Sequence, residues 1–140
     1  MSYDLMVFES TVAPKQRSDF MQWYAQQTEW AEDHSYQDIE VSTERLQNWF
    51  KDMIEYFPPM NGPLASDDID DPKVTDHCIG KHVVYSAFAW SVAEEAYPKM
   101  RELAIKHSVG FFDVSSENGE ILFPDSATET AEKKPWWKFW

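Results

Sequence analysis

Cysteine, glycine and basic residues are all scarce in this chain, and each scarcity excludes something. Among 140 residues there is one cysteine, Cys78, so neither an internal disulfide nor a zinc centre built from several thiolates is available. The four glycines leave no material for a glycine-rich phosphate loop, and no G-x-S-x-G or H-E-x-x-H motif occurs. No stretch approaches the ~18 consecutive apolar residues of a membrane-spanning helix. The opening residues, Met1 to Leu5, have no basic region and lead into no signal-length apolar run. A reducing, cytoplasmic setting is therefore the expectation, with no cofactor and no metal. Twelve lysines and arginines against 25 acids give a net charge of −13, which repels nucleic-acid phosphate and attracts basic partners.

The charge is also unevenly spread. All 25 acids lie within the first 132 positions, whereas the last eight residues hold three of the twelve bases and no acid. The body thus carries −16 and the tail +3. Apolar residues at 43% and aromatics at 16% suffice for a real core, so the high charge does not imply disorder. The length fits one domain.

Tyr3 to Glu9 is a short apolar run that reads as a strand buried on both faces, central in a sheet. Ala13-Pro14 opens a first helix to about Ala31, with Phe20, Trp23, Tyr24, Gln27 and Trp30 at helical spacing. Ser42 or Thr43 caps a second helix, in which Leu46, Trp49, Phe50, Met53, Ile54 and Phe57 form one apolar face ended by Pro58-Pro59. Residues 58 to 73 are a long loop rich in proline and aspartate. Asp76 to Lys81 and His82 to Ala89 read as paired strands. Ser91 to Glu94 is a capping box for a third helix, in which Pro98 predicts a kink or a late start. Phe111 to Ser115 and Glu120 to Phe123 flank an Asn118-Gly119 hairpin signal.

The order β-α-α-β-β-α-β-β predicts an α+β domain over residues 1–124. It would have about five strands in a mixed or antiparallel sheet and three helices largely on one face. Residues 125–140 read as a flexible polar tether followed by a docking tail.

Two acidic segments stand out as partner-binding candidates. In the first, Glu29, Glu32, Asp33, Asp38 and Glu40 are interleaved with Trp30 and Tyr36, so that acids could steer a basic protein and rings supply desolvated contact. The bland alternative is a solvated helix end with its rings turned inward. The second is Asp67, Asp68, Asp70 and Asp71, which lacks the glycine and terminal glutamate of a calcium loop and reads first as a solvated acidic loop. His77 and His82 sit in adjacent strands, but alternation puts Asp76 and Cys78 on the face opposite His77, so this set does not converge on a metal. Cys78 reads as a buried structural thiol. In the tail, Trp136, Trp137, Lys138, Phe139 and Trp140 suit docking on another protein or on this chain's own acidic body, with weak membrane-surface contact as the alternative.

Several phrases carry a resemblance: Met1 to Phe8, Phe57-Pro58-Pro59-Met60-Asn61-Gly62-Pro63, Phe88-Ala89-Trp90-Ser91 and Val109 to Val114. Together they resemble a widespread group of small, acidic, uncharacterised bacterial proteins, similar in style to the immunity proteins of toxin systems. The resemblance covers residues 1–124 and supplies no site residue. It implies a non-catalytic acidic module that neutralises or holds a basic protein partner, a toxin for instance. A small enzyme with a pocket under the 58–73 loop, or an acidic mimic of nucleic acid, is the alternative.

Overall fold

The computed structural model describes residues 2–32, 34–68 and 70–124. Its elements are β1 (Tyr3–Phe8), α1 (Arg17–Gln27), α2 (Glu44–Met53), β2 (Asp76–Ile79), β3 (Val83–Phe88), α3 (Ala93–Lys106), β4 (Gly110–Phe112) and β5 (Ile121–Leu122). Single 3-10 turns at Ile39–Val41 and Trp90–Val92 precede α2 and α3. The five strands form one sheet in the order β2-β3-β1-β4-β5, and every pairing is antiparallel. The fold is α+β.

β1 lies at the centre because it is apolar on both sides, and that property organises the rest. Leu5 and Val7 point into a core with Leu46, Trp49, Phe50 and Met53 of α2 and Ala96, Met100, Leu103 and Ala104 of α3. Met6 and Phe8 point the other way, into a second core with Phe20 of α1, Val83 and Phe112, edged by Trp23, Tyr24 and Phe123. The expectation of three helices on one face is therefore corrected: α1 covers the opposite face. Leaving Met6 and Phe8 in water would forfeit roughly 2 kcal/mol for each side chain.

Other local expectations are also adjusted. α1 is shorter than its periodicity suggested, because the Thr28 hydroxyl donates to the Tyr24 carbonyl at 2.9 Å and closes the last turn. Trp30 lies beyond it with φ 52°. The apolar face of α2 does continue to Phe57, through a turn in which Phe57 N–H donates to the Met53 carbonyl at 2.9 Å. Ser91 does not cap α3; it sits within the 3-10 turn, and Val92 takes the cap position. Pro98 lies in the second turn of α3, and the helix runs through it. Asn118-Gly119 does belong to a hairpin, but the connection is longer than two residues, since Asp113 N–H donates to the Glu120 carbonyl at 2.9 Å. Arg101 and the Tyr97 hydroxyl both bind the Glu120 carboxylate and tie α3 to that hairpin.

His77 is buried in the α2 face of the sheet, edge-on to Trp49, Phe50 and Phe88. Its Nδ1 lies 2.7 Å from Ser86 Oγ and its Nε2 3.0 Å from the Phe57 carbonyl. A carbonyl can only accept, so Nε2 carries the proton and Nδ1 accepts from Ser86. Burial pushes the imidazole down to about 4, only partly offset by the Phe57 carbonyl.

Two predictions follow from this packing. A Cβ on Gly110 would sit 2.2 Å from the Phe8 ring, with both residues paired in the sheet. Gly110→Ala should therefore cost at least ~2 kcal/mol in urea unfolding. The unfolded histidine takes a proton near pH 6.5 and the folded one only near 4, so stability is full above 6.5 and falls as pH drops towards 4. The loss from this residue is roughly 3 kcal/mol. Denaturation midpoints measured across this range should fall more steeply for the wild type than for His77→Gln.

Candidate functional site

The chain leaves α1 on one face and enters α2 on the other, so residues 28–43 must pass round the outer edge of β2. They are fastened there. Ile79 N–H donates to the Tyr36 carbonyl at 2.8 Å, the Ser42 hydroxyl to the Gly80 carbonyl at 2.6 Å, and Thr43 N–H to the Lys81 carbonyl at 3.2 Å. The Glu32 carboxylate is part of the same clamp: one oxygen accepts Lys81 N–H at 3.1 Å and lies 2.6 Å from His34 Nε2. Glu32 N–H donates to the Tyr36 hydroxyl at 2.6 Å. Within this segment the Tyr36 ring packs between His34 and Trp30. Trp30 adopts its left-handed backbone at a cost of ~1 kcal/mol, and the indole then stands edge-on to Tyr85 at 6.0 Å.

The proline- and aspartate-rich loop meets the same edge. Thr75 N–H donates to the Pro58 carbonyl and Met60 N–H to the Thr75 carbonyl, closing the loop at its base. Gly62, with φ 90°, lies so close to the crossing segment that a Cβ would fall 2.3 Å from the Gln37 carbonyl oxygen. Asn61 Nδ2 reaches Asp76 Oδ1 at 3.5 Å. The aspartates cap backbone turns of their own loop: Asp68 accepts from Asp70 N–H and Asp71 from Lys73 N–H. Among the described residues no group of three or more His, Cys, Asp or Glu side chains is placed to hold a metal ion.

Two clefts flank the crossing segment. On one side, between residues 37–40 and 59–64, lies a mostly apolar groove of about 220 Å³, walled by Ile39, Phe50, Pro59, Pro63 and Leu64 with Asp38 and Glu40 alongside. Met60 and Leu64 are exposed next to it. The other cleft, about 300 Å³, lies on the α1 face and is lined by Tyr24, Thr28, Trp30, Asp76, Cys78, Tyr85 and Ala87. Alternation along β2 and β3 gathers Asp76, Cys78, Tyr85 and Ala87 on this face and sends His77 and Ser86 to the other. Tyr85 donates to Asp4 Oδ2 at 2.5 Å. Burial, reinforced by Asp4, raises the Tyr85 hydroxyl, and burial also raises that of Tyr24. Burial and then the neighbouring Asp76 push the Cys78 thiol up to about 11. Both tyrosines and the thiol thus stay neutral in the working pH range.

The sequence-derived candidates fall into distinct groups. Glu29, Glu40, Asp67, Asp68 and Asp70 are exposed, and Asp38 and Asp71 partly so. Glu32 and Tyr36 are engaged in holding the segment in place. Trp30 joins the polar cleft. Asp33 lies outside the described residues, as do Trp136, Trp137, Lys138, Phe139 and Trp140 of the tail. Sequence reading did not single out Tyr24, Thr28, Tyr85 or Ala87. The signal for the strand residues was there, in the alternation that separates Asp76 and Cys78 from His77.

Among the described residues no helix is long and apolar enough to cross a membrane. No protein-family model, curated protein or solved structure matches this chain.

Cys78 is half-buried, so it can be alkylated, but its thiolate is scarce. With the thiol moved from 9.0 to about 11, reaction with iodoacetamide at mildly alkaline pH should run about a hundredfold slower than for an ordinary thiol. The rate should rise to the ordinary value when urea unfolds the chain. A fast-reacting folded thiol would contradict the assignment.

Proposed function

We propose that the chain is a non-catalytic, acidic binding module that holds a basic protein partner along the β2 edge, in the style of toxin-neutralising immunity proteins. One observation carries this reading: the first acidic segment and the loop that bears the second meet at a single edge, where Gly62 abuts Gln37 and Asn61 reaches Asp76. Glu40 on the crossing segment and Asp67, Asp68 and Asp70 on the loop are exposed, and a cleft opens on either side of the crossing segment. The division of labour is a familiar one in protein recognition. Exposed acids speed encounter with a positive surface, and concave apolar or aromatic walls take the anchors that set the dissociation rate. Hydrogen bonds to the β2–β3 turn pre-form the segment, so that little ordering entropy is lost on binding.

The test is affinity capture from the source organism's lysate, with four forms compared. The intact chain should retain a basic protein at low salt and release it at moderate salt. A chain with Glu40→Gln, Asp67→Asn, Asp68→Asn and Asp70→Asn should retain it at least about tenfold more weakly. A chain ending at Glu132 should retain it as the intact chain does, whereas loss from that form alone would move the function to the Trp136–Trp140 tail. Glu117→Gln, an exposed acid on the β4–β5 hairpin at the far end of the sheet, should also bind normally. Retention of no basic protein by the intact chain would overturn the reading.

A further inference from the structure

We propose that the polar cleft on the α1 face receives a single arginine side chain of the basic partner. The proposal rests on the binding role just given and names the chemistry of one contact within it.

The cleft is built across three strands. Asp76 on β2 pairs with Ala87 on β3, and Ala87 with Asp4 on β1, so two carboxylates lie in one row on either side of a methyl group. The small Ala87 side chain leaves the floor deep. Asp4 is already committed: Ser2 donates to one of its oxygens and Tyr85 to the other, each at 2.5 Å. Asp76 is exposed, and among the described residues its side chain has one hydrogen-bond partner, Asn61, at 3.5 Å from a single oxygen. Asp76 is therefore the carboxylate that can accept a forked pair of N–H groups.

The walls fit the same guest. Trp30 and Tyr85 meet at 86°, forming a corner with Tyr24 beside it. A flat guanidinium can lie against one ring face while its edge bonds to a carboxylate. An ammonium is compact and strongly hydrated, and it would leave a space of about 300 Å³ largely wet. Cys78 contributes a neutral thiol to the wall. A net charge of −13 brings cations to the mouth, and the exposed acids of the same edge favour a basic surface over a free metabolite.

The test is NMR of the intact chain at low salt, titrated with the peptides acetyl-Gly-Arg-Gly-amide, acetyl-Gly-Lys-Gly-amide and acetyl-Gly-Gln-Gly-amide. The arginine peptide should give saturable shifts at the Trp30 indole N–H and at the Cys78, Tyr85 and Ala87 amides. The lysine peptide should bind several-fold more weakly and the glutamine peptide should not bind. Asp76→Asn removes an exposed charge without disturbing the core, and it should weaken the arginine peptide about tenfold. Equal shifts with the glutamine peptide, or shifts confined to residues 67–71, would overturn the proposal. So would cleft shifts on deleting residues 133–140 with no peptide present, because the chain's own lysines would then be the occupants. If Asp76→Asn still captures the basic partner as tightly as the intact chain, the arginine contact is wrong and the binding role stands. If the intact chain captures no basic partner, the binding role itself fails.

Discussion

The structure depends on β1 being apolar on both faces at the centre of its sheet. A strand that alternates Leu5 and Val7 with Met6 and Phe8 exposes one pair to water unless both sides are covered. Two helices on one side and one on the other meet that demand. Because α1 and α2 are consecutive in the chain yet lie on opposite faces, their connection has to travel round a sheet edge. It takes the β2 edge, and in doing so protects backbone groups that would otherwise pair with a foreign strand.

The candidate site is a consequence of that route. The connection after α1 and the long loop after α2 both arrive at β2, so an acidic segment and the loop that carries a second one, distant in sequence, touch in space. Their acids divide into two kinds. Glu32 accepts hydrogen bonds from within the chain and fixes the segment, whereas Glu40, Asp67, Asp68 and Asp70 remain in solvent. Holding several like charges at one edge works against folding, and the hydrogen bonds to Gly80, Lys81 and Ile79 hold the segment there in spite of it.

Much of the fold was legible because it rests on local patterns. The two-sided apolar run of β1, the periodicity from Leu46 to Phe57 and the Asn118-Gly119 hairpin each mark an element within a few residues. The side of the sheet taken by α1 was not legible, since Phe20, Trp23 and Tyr24 would suit either face. The site was legible only in halves. Acid and aromatic interleaving pointed to residues 29–40, and strand alternation placed Asp76 with Cys78. That Trp30 meets Tyr85 depends on the edge crossing and on a left-handed backbone at Trp30, which nothing in a tryptophan side chain favours. Sequence also could not separate the structural carboxylate of Glu32 from the solvated ones, because that distinction lies in Lys81 N–H and His34, brought in by tertiary structure.

The central claim, that the β2 edge is the face that meets a basic partner, is tested most directly by hydrogen–deuterium exchange on the intact chain with and without the captured protein. The account predicts added protection over residues 28–43 and 58–79, with α3 and the β4–β5 hairpin unchanged. Protection centred on α3 or on that hairpin would contradict it and place the binding surface at the other end of the sheet.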